Sequence, residues 1–440
     1  MSGKQAQHIS AAEAAALVKN GDWVEYGVSI GQPDAFDAAL AARVGELRGV
    51  KFRSCISARP RKVLEADPTG DSFTWFSWHF SGFDRKYGDK GLAHYMPINL
   101  GEIPDYYRRF LPPIDVTVLK VHPKDENGVY NFAGTGLWHR AVVECARTVI
   151  VEVNDRMPFA HGVENGIHES EVDFVIPGDG QAPPELPSAP LTDIDRAVGN
   201  LIAEQVPDGS CIQVGIGGMP NAVCDALLQS GVKDLGIHSE MLTDGMAALV
   251  RSGQVTGVQK GLDAGRHVYS FALGTQDLYD TLDGNADFCL YQADYTNLPH
   301  NIMKNPNAVA INNTTQIDLG GQAASESDGL RHLSGTGGQL QFVRGAYASP
   351  NGKSFMCLSS VYQKGDTRRS RIVLSLTPGN TVTTPRMDQM YVVTEYGCVN
   401  LKGQSWVDRA RLLISIAHPD FREDLERQAR DAGLVPKGYW

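Results

Sequence analysis

Long apolar runs are missing from this 440-residue chain: none approaches the roughly 20 residues that cross a bilayer as a helix. A basic and then apolar leader is missing from Met1 to Ser10, so a cytoplasmic protein is expected, with no membrane partner. Paired cysteine motifs are absent as well. The seven cysteines (Cys55, Cys145, Cys211, Cys224, Cys289, Cys357, Cys398) are odd in number and show no CxxC or Cys/His ligand spacing. That argues against a disulfide scaffold or a structural zinc and reads most of them as small buried hydrophobes. Positive charge is in deficit: 40 Lys and Arg against 51 Asp and Glu give a net charge of -11, which disfavours nucleic acid. A local basic cluster can still hold a small phosphorylated molecule. No appended DNA-binding or receiver module is visible.

What the chain does have is glycine in patterned places. Gly21 to Phe36, with Leu40, matches Gly209 to Val223, with Leu227, after one residue of gap. Both copies read apolar strand, glycine turn, proline near the first helical position. Each runs on through Gly-Val-Lys (Gly49 to Lys51, Gly231 to Lys233) into a short strand, ending at Ser57-Ala58 in the first copy and at Ser239-Glu240 in the second. Helices precede both copies. One opens on the capping-box residues Ser10 and Glu13 and closes near Gly21; the other covers Asp193 to Gln205. Strands at Val116 to Val121 and Thr148 to Val153 flank a helix at Arg140 to Ala146. At 440 residues the chain exceeds what one core supports. The expectation is α/β: two tandem, related open α/β domains with mostly parallel sheets, residues 1–185 and 191–440, joined by the Gly- and Pro-rich stretch Gly178 to Pro190. Trp406 to Ala432 is expected to be an outer amphipathic helix.

Only the second copy carries a carboxylate at its strand end. Ligands of open α/β sheets bind at the carboxyl ends of strands, so Glu240 favours chemistry over scaffolding. The plain alternative is a first-turn acid that stabilises a helix dipole. Gly215-Ile216-Gly217-Gly218-Met219-Pro220, between a strand and a helix, invites a dinucleotide-binding reading with Glu240 on the ribose, and hence a dehydrogenase. Pro220 stands where the third fingerprint glycine belongs, however, and a tight βα turn explains the glycines equally well. Asn297 to Gly345 is rich in Gly, Asn, Ser and Thr, the composition of binding loops.

These segments, together with His238-Ser239-Glu240-Met241, Asp318 to Gln322, Ala324 to Ser327, Gly335-Thr336-Gly337-Gly338-Gln339, Val393 to Gly397 and Ala417 to Arg422, resemble the acetyl-CoA hydrolase/transferase family. Within it the chain is most similar to 4-hydroxybutyrate and butyrate CoA-transferases. The resemblance covers nearly the whole chain and is densest from Ile212 to Arg422. It implies the CoA-transferase fold, coenzyme A as the substrate thioester with no metal or nucleotide cofactor, a small carboxylic acid as second substrate, and a homodimer. Glu240 is then the nucleophile that becomes a glutamyl-CoA thioester in a ping-pong route. Gly337 and Gly338 match the family's oxyanion loop, with Gly217 and Gly218 as further donors; a hairpin turn is the alternative for Gly337 and Gly338. Gly215, Ile216, Gly217, Gly218, Met219, Asn313, Gln322, Gly338 and Lys364 are the implied CoA or substrate contacts. Arg368, Arg369 and Arg371 beside Lys364 have the alternative of a solvated face.

The first half departs from the family. Trp75 to Phe80 and Gly134 to His139 are aromatic and His-rich, as an acyl pocket or as ordinary core. A dicarboxylate such as succinate or itaconate fits if His79, Arg85, His139 or Arg140 faces the cleft. A hydrolase of the same family, with water as acceptor, and a catalytically silent acyl-CoA-binding regulator are the remaining readings.

Overall fold

In the computed structural model, which describes residues 5–436, the chain builds two mostly parallel sheets. The first has eight strands in the order Gln7–His8, Phe174–Pro177, Ala146–Val153, Ile114–Val121, Trp23–Val28, Val50–Cys55, Phe73–Ser77, Ala93–Tyr95. Every neighbouring pair is parallel. Ile114–Val121 shows why: seven of its eight residues are buried, and such a near-continuous apolar, β-branched run fits a strand covered by helices on both faces.

The second sheet runs Gly236–Ile237, Cys211–Val214, Ala308–Asn313, Lys353–Cys357, Tyr391–Thr394, Gly397–Asn400, with only the last pair antiparallel. A parallel bridge from His238 to Val268 extends it to His267–Tyr269 and, beyond that, to Phe288–Leu290. Counted this way, the second half repeats seven strands of the first in order; only the edge strands Gln7–His8, parallel, and Gly397–Asn400, antiparallel, differ. Trp23–Val28 and Cys211–Val214 occupy the same place, each between the strand that follows it and a later crossover strand.

The register corrects one detail of the sequence alignment. Trp23 pairs with Lys51 where Cys211 pairs with Gly236. Counting onward from Lys51 and Gly236, the counterpart of Glu240 is Cys55, not Ala58. The strand Val50–Cys55 stops before the Ser57-Ala58 end expected for it.

Capping boxes at Ser10, Ser81 and Thr192 start the helices Ala11–Ala16, Gly82–Gly88 and Asp193–Ala203. The expected C-terminal helix is two helices, Trp406–Ser415 and Pro419–Asp431. Pro419 sits in the first turn of the second, where its missing N–H costs nothing, and the His418 ring accepts from the Asp420 N–H. Residues 178–190 carry no regular structure but are strapped to both halves: Arg59 donates to the Ala182 carbonyl, Tyr279 to the Pro184 carbonyl, and the Leu186 N–H to the Gly274 carbonyl.

Two core clusters join the halves; one packs Leu119, Val121 and Phe132 with Ile212, Leu242 and Val309, and the other lies nearer the strand ends. There Val28, Ile30, Cys55, Trp78 and Trp138 from the first half pack with Met241, Phe271, Leu273 and Tyr279 from the second. The carboxyl ends of the central strands of the two sheets therefore face each other. Among the described residues no helix is long and apolar enough to cross a membrane.

Candidate active site

Glu240 stands at that seam, between the strands Gly236–Ile237 and Met241–Leu242. Its main chain is pinned: the Ser270 and Phe271 N–H groups both donate to its carbonyl, at 2.9 and 3.1 Å. Its side chain is half-buried. Asn297 Nδ2 donates to Oε2 at 2.5 Å, and the Gly338 N–H donates to the same carboxylate. Burial pushes the carboxyl up to about 7, and the bonds from Asn297 and Gly338 oppose that rise. A carboxylate of that basicity is a better nucleophile than an exposed glutamate and is still about half ionised at neutrality.

Gly338 is glycine because nothing else fits. A Cβ there would lie 2.3 Å from Glu240 Oε2 and 2.6 Å from Asn297 Nδ2. It is also the N-cap of the helix Gln339–Ala348, so the carboxylate faces the positive end of that helix. Gly337 lies beside Glu240 Oε1 and the His79 ring.

The first half holds this loop in place. Leu100 N–H donates to the Gly337 carbonyl at 3.0 Å, Phe80 N–H to the Ser334 carbonyl at 3.2 Å, and Arg85 to the Leu333 carbonyl at 2.9 Å. The Tyr95 hydroxyl donates to Glu326 at 3.0 Å and accepts from the Thr336 N–H at 3.1 Å, while the His332 ring stacks on Tyr95. His79 is kept neutral by burial, its pKa pushed down to about 4.

Residues Gly215 to Met219 form the turn between Cys211–Val214 and the helix Gly218–Ser230. Gly217 caps that helix at φ 120°, a conformation an L side chain rarely adopts, and no side chain caps the first turn. Ile216 is 45% exposed, and Asn313 emerges at the end of Ala308–Asn313 next to Gly217. The first copy differs: there the N–H groups of Asp34 and Phe36 both donate to Glu152 at 2.9 Å, and Glu152 lies 3.9 Å from Lys120. By the sheet registers Lys120 corresponds to Asn313 and Glu152 to Cys357. The first helix start is plugged by a carboxylate bonded to its N–H groups; at the second the Asp195 carboxylate lies against Gly218, but no side chain bonds the N–H groups of the first turn.

Of the other residues singled out in the sequence, Gln322 turns its amide onto Asp318 at 2.6 Å, in a turn held by Arg409 through the Gly320 carbonyl. Lys364 is exposed at the tip of the hairpin Val361–Lys364 and Thr367–Ser370. Arg368 is paired with Asp420 at 2.5 Å, Arg369 with Asp328 at 2.7 Å, and Arg371 is half-buried. Trp75, Trp78 and Trp138 are fully buried core. His139 is buried, its pKa pushed down to about 3 by desolvation, and Arg140 is paired with Glu171 at 2.8 Å. Among the described residues no group of three or more His, Cys, Asp or Glu is placed to hold a metal ion.

Asn297 escaped the sequence reading. It lies 57 residues from Glu240 in a Gly- and Asn-rich stretch, and nothing in its spacing marks it out.

Residues 4–185 match the acetyl-CoA hydrolase/transferase N-terminal domain and residues 274–429 its C-terminal domain. The chain is 44% identical to a butyryl-CoA:acetate CoA-transferase of Anaerostipes caccae over 97% of its own length and 96% of that protein's. It is 36% identical to a 4-hydroxybutyrate coenzyme A transferase of Clostridium kluyveri, over 95% and 96%. RipA from Yersinia pestis superposes with a TM-score of 0.88 at 34% identity, covering 98% of both chains.

Proposed function

The chain belongs to the acetyl-CoA hydrolase/transferase family, and from that membership we propose the route by which this CoA-transferase works: Glu240 carries coenzyme A between two acids. The Glu240 carboxylate attacks the thioester carbonyl of an acyl-CoA, and the CoA thiolate leaves to give a mixed anhydride. The thiolate then attacks the Glu240 carbonyl carbon. The first acid departs as its carboxylate, and Glu240 is left as a thioester. An incoming carboxylate reverses the same steps and leaves as the new acyl-CoA. No proton, metal or ATP is consumed, because each step exchanges one activated carbonyl for another.

Each tetrahedral intermediate puts negative charge on an oxygen. Asn297 and the Gly338 N–H already donate to a Glu240 oxygen and serve the intermediates centred on Glu240; Gly337, with Gly217 and Gly218, serves those centred on the acyl carbon. The helix start at Gly218, with Gly215, Ile216, Met219 and Asn313, receives the CoA chain, and Gln322 and Lys364 complete its site. We take the working unit to be a cytoplasmic homodimer of two-domain subunits divided between residues 185 and 191. The acid is a short one of the butyrate or 4-hydroxybutyrate type, with acetyl-CoA or a similar donor.

The observation that carries this route is a carboxylate with its pKa raised to about 7, held by two N–H donors where the two halves meet. Its test is acyl exchange from acetyl-CoA to butyrate, 4-hydroxybutyrate, succinate and itaconate, with borohydride reduction of the enzyme after donor alone. Label on Glu240 and exchange that needs an acceptor acid are expected. CoA release at the same rate with no acid present, or label at another residue, would overturn it.

A further inference from the structure

We infer that Ser270 and Thr296 are positioning residues: a one-way chain of hydrogen bonds through them fixes which end of the Asn297 amide faces Glu240. The inference rests on the reading of Glu240 as the group that carries coenzyme A. Ser270 Oγ lies 2.5 Å from Thr296 Oγ1, Thr296 Oγ1 lies 2.8 Å from Asn297 Oδ1, and Asn297 Nδ2 lies 2.5 Å from Glu240 Oε2. All three side chains are wholly buried, so water does not compete for these bonds.

The direction of each bond follows by elimination. A carboxylate only accepts, so Asn297 must present its NH2. That leaves its carbonyl oxygen facing Thr296, and a carbonyl also only accepts. The single Thr296 hydroxyl proton is therefore spent on Asn297, and Ser270 must be the donor to Thr296. A flipped amide would set Oδ1 against the carboxylate, acceptor against acceptor, and would turn the Thr296 proton back onto Ser270, giving up the Thr296 bond to Oδ1.

The chain is anchored at both ends. The Ser270 N–H donates to the Glu240 carbonyl, so the residue that starts the chain also holds the main chain of the residue that ends it. The Thr296 carbonyl accepts from His238 Nε2 at 2.9 Å, two residues before Glu240. The same orientation serves throughout the reaction. When Glu240 is a carboxylate, Asn297 favours its charge; when it is a thioester, the amide polarises its carbonyl and receives the developing oxyanion.

Thr296→Val keeps the shape and removes the donor, Thr296→Ser keeps the donor, and Ser270→Ala removes only the first link. Exchange rates across pH 5 to 9, borohydride trapping of the glutamyl thioester and thermal melting are measured for each. Thr296→Val is expected to lower kcat about 10- to 100-fold with donor KM within about twofold. It should also move the rising limb of the pH profile upward, because a lost donor no longer favours the ionised carboxylate. Thr296→Ser should restore both, and Ser270→Ala should show the same changes to a smaller extent. The titratable groups facing Glu240 are His79 and Cys55 from the first half and His238 on its own strand; burial holds the first and third down near 4 and the thiol well up, so none of them changes charge in this window.

A lower melting temperature with kcat and pH profile unchanged would overturn the inference, as would a Ser270→Ala protein with parental kinetics should Thr296→Val fail to fold. Full exchange by Glu240→Gln would instead sink the covalent route itself.

Discussion

A carboxyl group that ionises near pH 7 is half charged under ordinary assay conditions, and that sets two expectations for Glu240. The first is kinetic: kcat/KM for the acyl-CoA should rise with pH on an apparent pKa near 7, since on the proposed route only the carboxylate attacks. The second concerns stability. The pKa is raised from 4.5 in the unfolded chain to about 7 in the fold, so the folded state holds the proton more tightly between those values. Its contribution is complete below 4.5 and is lost as pH rises through 7. Glu240→Gln should therefore be more stable than the parent at pH 8 by about 1–2 kcal/mol, the figure being discounted because the side chain is half-exposed. The two should converge near pH 4.5, and urea titrations at both pH values measure the difference. Gly338→Ala is the companion test. Its methyl group would overlap Glu240 Oε2 and Asn297 Nδ2, so kcat should fall by about 10²-fold while tryptophan fluorescence reports an intact fold.

At the scale of elements, the two halves show the same strand-loop-helix unit put to opposite uses. In the first, Glu152 satisfies the start of Ala35–Ala41 and lies beside Lys120, inside a cluster with Asp34, Arg59 and Arg61. Glu152→Ala would leave Lys120 its nearer partner Asp34 but strip the Asp34 and Phe36 N–H groups of their acceptor, and a loss of about 2 kcal/mol in urea denaturation is expected, with donor KM unchanged. In the second, Asn313 and Cys357 stand in those places, and no side chain bonds the first-turn N–H groups of Gly218–Ser230. The glycine pattern that makes both turns was legible in the residues. The plug was not, because Glu152 lies 116 residues from Phe36 and reaches it only through the sheet.

On the scale of the molecule, the Glu240 carboxylate comes from one half and the support of the loop facing it from the other. Tyr95, on the edge strand of the first sheet, joins Glu326 and Thr336 of the second half through one hydroxyl. Tyr95→Phe should lower kcat roughly tenfold, cost no more than about 1.5 kcal/mol of global stability, and speed amide exchange at residues 334–338, as hydrogen-exchange mass spectrometry would show.

The duplication, the α/β class, the parallel sheets and the special position of Glu240 could be read from the residues, because strand, turn and helix signals are local and recur with the chain. The aromatic stretches Trp75 to Phe80 and Gly134 to His139 were ambiguous for the same reason: burial is not local, and only packing shows that their tryptophans are core while His79 reaches the glycine loop. Tertiary structure alone decided that Cys55 is the counterpart of Glu240, that Asn297 and Gly338 grip its carboxylate, and that its pKa rises. Desolvation and hydrogen-bond direction depend on which distant segments the sheets bring together, and no spacing along the chain encodes that.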